Sequence, residues 1–428
     1  MTECLLKVVV VQKGAREHFL AASALHRHGM LAGLCTDWYA PQSTVARGVL
    51  HLLGRRNAAS ARAAACREIP RGMVRSFPFR SLLWRWRVRQ WAAQGRLYEA
   101  YAQTDAAFAR AVAQCHLPPH GVFFGYSYAS LEVLQSEKSE GKMTILDQID
   151  PGPAHFQLVA AEMARHPELA GAPQISPAAY FSRVRQEWGI ADVIVVNSEW
   201  SREALLSEGV NPAKIEILPL AYEPRDEGQR SEVSGQSSGS PRSATLRVLF
   251  LGQVTPGKGI HYLMEAAKLL QGAAVHFDVV GTIGILPGAL ASAPRNLIFH
   301  GPVSRDSATE WYRQSDVFAL PTLSDGFAIT QLEALAHGLP VITTPNCGRV
   351  VEDGKTGFLV PACDAIALAG AISKFLENRQ LAEEMRSACR AASKARSLEK
   401  YGLRLIEIIN RGLALRAAKP TPILKSVA

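Results

Sequence analysis

Twice in this chain a buried-strand run leads through a glycine-containing turn into a helix and on to another strand, and that recurrence constrains the fold more than any other feature. The first run covers residues 5–11. It is followed by the turn Gln12-Lys13-Gly14-Ala15-Arg16-Glu17, a helical pattern over 18–28 ended by Gly29, and a strand over 31–36. The second begins at 246–251, passes through Gly252-Gln253-Val254-Thr255-Pro256-Gly257-Lys258-Gly259 and enters a helix over 260–270. Strands buried on both faces and joined by helices build parallel sheets, because the crossover helices cover both faces. Further strands at 121–125, 143–146, 193–197 and 215–219 extend the first unit. Those at 277–281, 297–300, 317–320 and 341–343 extend the second. The expected fold class is α/β, with two doubly wound, Rossmann-like parallel-sheet domains facing a cleft. Residues 1–224 form the first domain, with a basic, mostly helical insertion over 40–118. The Ser- and Gly-rich stretch 225–245 reads as a linker. Residues 246–395 form the second domain, and 396–428 a helix returning to the first.

The most informative local stretch follows the strand at 317–320. Pro321 closes that strand, a polar turn Thr322-Leu323-Ser324-Asp325-Gly326 follows, and a helix over 328–336 is ended by His337-Gly338 with Pro340 beyond. The turn places the carboxylate of Asp325 and the N–H groups of Gly326, Phe327 and Ala328 at a helix N-terminus. Anions bind there because the first N–H groups lack helical partners and the helix dipole is positive at that end. Glu333, eight residues after Asp325, is turned about 80° from it, so the two acids can reach different parts of one long ligand. A ligand with phosphate in its middle and hydroxyls at both ends, such as a nucleotide-sugar, suits that layout. The bland reading of the same residues is an N-cap Asp and a solvated helix Glu.

The string from Leu323 to Ala328, followed by Leu332-Glu333-Ala334-Leu335-Ala336-His337-Gly338-Leu339-Pro340-Val341-Ile342, resembles the Glu-x7-Glu signature of family-4 retaining glycosyltransferases, with Asp325 in place of the first Glu. The resemblance recurs over most of 247–400 and reaches the first half through Arg183–Glu187, 191–198 and 215–220. It implies the GT-B fold and a donor site mostly in the second domain. By it, Lys258 clamps the diphosphate, Glu333 accepts from the ribose hydroxyls and Asp325 binds the donor sugar. Gly326, Phe327 and Ala328 give N–H groups to the diphosphate, and Pro302 and Val303 line the base pocket. Gly252 and Gln253 belong to the same donor loop. Two positions depart from the family pattern. Gln253 stands where the family pairs an Arg with the Lys, and Asp147 stands where many members carry a His. Asp147 joins Asp325, Glu333 and Lys258 as a catalytic candidate, and His155, eight residues on, is an alternative occupant of that space. The turn Gly14-Ala15-Arg16 is a candidate acceptor or phosphate loop, with an ordinary strand–helix turn as its plain reading.

The reaction implied is transfer of a sugar from a nucleotide-diphosphate sugar to an acceptor hydroxyl, with retention, in polysaccharide, lipopolysaccharide or glycolipid synthesis. The alternatives are a nucleotide-sugar-binding module with little or no turnover, or a sugar epimerase on the same fold. No cofactor or metal is expected, since Lys258 and helix dipoles supply positive charge and no Cys/His metal spacing is visible. The loop is not a P-loop. Charge bears on the acceptor. The net charge is +9, and residues 46–100 alone carry twelve Arg, no Lys and two acids. Within Arg80–Arg96, Leu83, Trp84, Val88 and Trp91 fall at helical spacing with Arg85, Arg87 and Arg89 between them. That pattern suits an anionic membrane surface or a carbohydrate or lipid-linked acceptor; a Trp-in, Arg-out packed helix and a nucleic-acid surface are the competing readings, and no nucleic acid is expected. Seven scattered Cys, no 18-residue apolar run and an N-terminus leading straight into a strand place the protein in the cytoplasm, peripheral on the membrane's inner face.

Overall fold

The computed structural model describes residues 6–39, 68–169, 178–224 and 245–418. The linker at 225–244 and the first part of the basic insertion lie outside the described residues. In the first domain β1 (Val8–Gln12) leads to α1 (Leu20–Arg27), β2 (Leu31–Thr36), β3 (Val74–Ser76), α2 (Pro78–Ala92), α3 (Leu97–Ala113), β4 (Val122–Tyr126), α4 (Leu131–Ser139), β5 (Met143–Gln148), α5 (Pro153–Arg165), α6 (Ala178–Ile190), β6 (Val193–Val196), α7 (Glu199–Ser207) and β7 (Ile215–Ile217). The second domain runs β8 (Leu246–Leu251), α8 (Ile260–Leu269), β9 (Val275–Val280), α9 (Pro287–Ala291), β10 (Leu297–Gly301), α10 (Arg305–Gln314), β11 (Val317–Leu320), α11 (Ile329–Ala336), β12 (Val341–Thr343), β13 (Gly357–Leu359), α12 (Ala365–Glu377), α13 (Leu381–Lys394) and α14 (Leu398–Ala417).

The first sheet has the order β3-β2-β1-β4-β5-β6-β7 and the second β10-β9-β8-β11-β12-β13. Every paired strand is parallel. Val8 to Val11 and Val317 to Leu320 are buried on both faces, as parallel strands under helices must be. Each fully buried Phe, such as Phe250 or Phe318, contributes about 1.5–3 kcal/mol. In both sheets the order reverses beside the first strand, between β1 and β4 and between β8 and β11. Open α/β sheets bind ligands at such reversals, beyond the carboxyl ends of the strands.

α14 packs against the first domain. Arg404 and Arg411 both donate to Glu216, and Arg416 donates to Asp192. Gly412 packs so close to Met143 that a Cβ there would lie 2.0 Å from its Cε.

Two local expectations fail for physical reasons. The helix expected from residue 18 starts at Leu20, because Glu17, His18 and Phe19 are all left-handed (φ 49°, 54° and 64°). Each such non-glycine residue costs roughly 1–3 kcal/mol, and burial of Phe19 edge-on to Tyr39 offsets part of that. In α2, Trp84 and Ser81 face inward, but Leu83 does not join them. It is 52% exposed and continues a stripe with Phe79, Leu82 and Trp86 at 87%, 48% and 58%.

Gly259 permits the tight entry into α8. Its φ is +72°, and a Cβ there would lie 1.8 Å from the Pro321 carbonyl oxygen. Gly259→Ala is therefore expected to lower stability by about 2 kcal/mol or more, seen as a lower denaturant midpoint.

Candidate active site

A cleft of about 1530 Å³ lies where the strand ends of the two sheets face each other. The second domain lines it with Gln253, Lys258, Asp325, Gly326 and Phe327. The first contributes Arg16, Glu17, Asp150 and His155. The loops after β8 and β11 supply the first group, so both come from the switch point of that sheet. Lys258 Nζ donates to Asp325 Oδ2, which joins the two loops by a charge-assisted bond. Asp325 N–H donates to the Asn346 carbonyl at 2.8 Å, and Asn346 Nδ2 in turn holds the Leu323 carbonyl at 2.8 Å. The turn is thus set before any ligand arrives. Gly326 marks a close approach of the domains. A Cβ there would lie 2.4 Å from the Ile149 carbonyl oxygen and 2.9 Å from Asn197 Nδ2. Trp200 Nε1 donates across the same junction to Ser324 Oγ at 3.0 Å.

The anion-binding turn is narrower than the sequence suggests. α11 starts at Ile329 rather than 328, and the Ala328 N–H already donates to the Cys347 carbonyl at 3.2 Å. Ala328 is therefore withdrawn from the donor set. The N–H groups of Gly326 and Phe327 have no acceptor among the described residues and border the cleft. Gly252 is likewise committed, its N–H donating to Val280.

Glu333 lies on α11, half-buried, and accepts from Tyr312 OH at 2.9 Å. It, Pro302 and Val303 stand outside the cleft lining, the last two exposed on the surface beyond β10.

In the first domain the structure divides the candidates differently. Gly14 (φ +81°) donates its N–H to Asp37 Oδ1 at 2.7 Å, so it does not offer that group to phosphate. Ala15 does not line the cleft, whereas Arg16 does.

Asp147 is 2% exposed and outside the lining. Burial, aided by the charge of Glu17, pushes its carboxyl well above the usual range. The expected catalytic carboxylate is thus a buried acid behind the cleft wall. The sequence position was read as the strand end, but β5 runs on to Gln148 and keeps Asp147 within the ladder.

His155 occupies the cleft instead. Burial lowers its pKa below the ordinary 6.5, so the imidazole is neutral near pH 7, and its Nδ1 is buried without a partner among the described residues. Asp150 is fixed by Tyr128 OH at 2.8 Å, Gln148 Nε2 at 3.0 Å and Gly152 N–H at 2.9 Å.

Glu17 escaped the sequence reading, since a single Glu in a turn carries no signal of its tertiary neighbours. Burial raises its pKa to about 7, against pulls from Arg16 and from Tyr126 OH, which donates to it at 3.4 Å.

The comparisons with known proteins agree with this geometry. Residues 245–378 match the family model described as glycosyl transferases group 1. The second domain is a glycosyl transferases group 1 domain. The chain shares 32% identity over 157 residues with D-inositol 3-phosphate glycosyltransferase of Arthrobacter sp. (strain FB24), covering 34% of this chain and 35% of that protein. Several curated relatives are matched over only 35–50% of their length. A longer match, 25% identical over 395 residues, covers 86% of this chain and 83% of the putative colanic acid biosynthesis glycosyltransferase WcaL of Salmonella typhimurium. The fold is that of Anabaena HepE, solved in complex with UDP-glucose, with a TM-score of 0.61 at 15% identity over 95% of this chain and 99% of that one. The two facing parallel-sheet domains are the GT-B arrangement.

The raised pKa of Glu17 has a definite sign for stability. The folded chain holds that proton more tightly than the unfolded one, so stability falls as pH rises from about 4.5 to about 7 and is level above. Glu17→Gln has no proton to lose. Its melting temperature is expected to exceed that of the parent at pH 8, with the difference shrinking toward pH 4.5.

Proposed function

We propose that this chain is a retaining glycosyltransferase that moves a sugar from a nucleotide-diphosphate sugar to an acceptor hydroxyl in polysaccharide or glycolipid synthesis. The observation that carries the reading is the convergence of Lys258, Asp325 and the unpartnered N–H groups of Gly326 and Phe327 on one interdomain cleft. These groups suit a diphosphate. Without ligand, Lys258 is held by Asp325; a bound diphosphate takes over the ammonium and leaves the Asp325 carboxylate to accept from sugar hydroxyls. Prearranged donors that meet charge developing on a leaving diphosphate lower the barrier without reorganisation, often the largest electrostatic contribution. Because Lys258 and the two amides supply the positive charge, this reading needs no metal at the diphosphate. Arg16, facing them from the first domain, can supply charge that Gln253 lacks. Glu333 suits a ribose diol because an ionised carboxylate only accepts; its bond from Tyr312 holds it in place.

His155 faces the reacting end from the first domain. A neutral imidazole can donate to or accept from a sugar hydroxyl, the role that the buried Asp147 is not placed to fill. Retention without a positioned nucleophile fits a same-face route, in which the departing phosphate takes the acceptor proton as the new glycosidic bond forms.

The acceptor we propose is membrane-associated. The stripe of Phe79, Leu82, Leu83 and Trp86 on α2 is exposed, with Arg80, Arg85 and Arg89 exposed beside it. Apolar side chains flanked by guanidinium groups suit the headgroup layer of an anionic bilayer. Among the described residues no helix is long and apolar enough to cross a membrane, so this contact is peripheral.

Lys258→Ala is expected to lower kcat by about 10²–10³-fold, and Glu333→Ala to weaken nucleotide binding, measured by donor hydrolysis without acceptor and by calorimetry. Unchanged nucleotide affinity in Glu333→Ala would remove it from the donor site, and unchanged turnover in Lys258→Ala would sink the diphosphate clamp. A protein that binds nucleotide-sugar yet never turns it over is the binding-module alternative. For the membrane contact, vesicle co-sedimentation at low salt is expected to favour anionic over neutral lipid. Trp86→Ser should reduce recovery on the anionic vesicles, and equal recovery on both lipids would rule out electrostatic docking.

A further inference from the structure

A second cluster of chemically active side chains lies at the domain junction, outside the donor turn. Glu162 sits in the last turn of α5 and His166 just beyond its end, both in the first domain. His261 is the second residue of α8 in the second domain, three residues after Lys258. One ligand atom from each of the three lies within 4.8 Å of the others. The Glu162 carboxylate is 2% exposed and the His261 ring 9%. His261 Nε2 is 2.9 Å and His166 Nε2 3.4 Å from the same oxygen, Glu162 Oε1.

We infer that Glu162, His166 and His261 form a binding site for a zinc-class divalent ion that clamps the two domains together. Two imidazole nitrogens and a carboxylate are the donor set of zinc, cobalt and nickel rather than of magnesium or calcium, which take oxygen ligands. Around a tetrahedral ion with bonds of about 2.0–2.1 Å, ligand atoms stand about 3.3–3.4 Å apart. The His166–Glu162 separation already has that value, and the His261–Glu162 separation must open by roughly 0.5 Å.

The surroundings orient these ligands as outer partners of metal sites do. Glu168 lies 3.1 Å from His166 Nδ1 and can accept its proton when Nε2 gives its lone pair to the ion. Tyr262 OH and Arg165 Nη1 donate to Glu162. His261 Nδ1 has no partner among the described residues, so the polar contacts of that ring all lie on the Glu162 side. A water completes the set from the His166 side, where the ring is 36% exposed.

The consequence is mechanical. α5 packs against the loop that carries Lys258, and a Cβ on Gly257 would lie 3.0 Å from Val159. An ion held by α5 and α8 together fixes the closed spacing of the cleft and the position of the Lys258 loop. A scan for metal spacing in the sequence misses it, since Glu162 and His261 are 99 residues apart.

The test uses the full chain stripped of metal by chelator, without donor or acceptor, so it stands apart from the proposed function. Titration of Zn(II) against a chromogenic chelator should show one equivalent bound per chain. His166→Gln and His261→Gln should each weaken it at least tenfold, whereas His116→Gln and Cys363→Ser should leave it unchanged. Co(II) added to the unaltered chain should give visible absorption of a low-coordinate nitrogen–oxygen site, a readout that needs no variant to fold. Zn(II) should also slow hydrogen exchange in α5 and α8. No stoichiometric uptake by the unaltered chain, uptake that persists in the His166→Gln/His261→Gln double variant, or loss that follows Cys363 instead would overturn the site.

Discussion

The Lys258–Asp325 ion pair ties together the two loops on which the site is built. Each loop leaves the carboxyl end of a strand beside the point where the second sheet reverses its order. The pair adds to two bonds that already join these loops, from the Leu323 N–H to the Gly257 carbonyl at 3.0 Å and from Thr322 Oγ1 to the same carbonyl at 3.1 Å. With it, the ammonium is held at the cleft, and under the proposed function an anion that displaces Asp325 meets a cation already in place. The partly buried pair gains strength from reduced contact with water, and the hydrogen bonds around Asn346 keep the turn from collapsing.

The first domain contributes a different kind of preparation. Three consecutive left-handed residues at its first turn present Arg16 and Glu17 to the cleft at a backbone cost that the packing of Phe19 helps offset. Strain of this sort persists where surrounding contacts over-determine it and is common at functional sites. His155 and Asp150 approach from the neighbouring strand end, so both halves of the chain line one cleft. Gly326 sits at a close approach of the halves, where a methyl group would meet the Ile149 carbonyl oxygen.

Several features were legible in the sequence because they rest on local rules. Apolar runs closed by Gly or Pro gave the strands. The turn from Thr322 to Gly326 announced a helix start, and the Gly-containing loop at 252–259 announced the entry into α8. What failed was whatever depended on partners distant in the chain. Ala328 was counted as a free donor, yet Cys347 takes its N–H. Asp147 was read as a cleft residue, yet the ladder of β5 extends one residue past it and buries it. Leu83 was grouped with Trp84, Val88 and Trp91 on one side of α2, yet Trp84 and Ser81 are buried and Leu83 is exposed. Glu17 gave no sign at all, because its raised pKa arises from burial, which exists only in the folded chain.

The sequence alone determined two parallel α/β domains and a loop pair suited to phosphate, because periodicity and turn chemistry act over a few residues. Tertiary structure alone decided which carboxyls face solvent, which amides remain unpaired, that His155 rather than Asp147 reaches the cleft, and that Glu162 and His166 meet His261 across the junction. Burial and hydrogen-bond occupancy are set by groups brought together only in the folded chain, within each domain and across the junction, and no local pattern encodes that pairing.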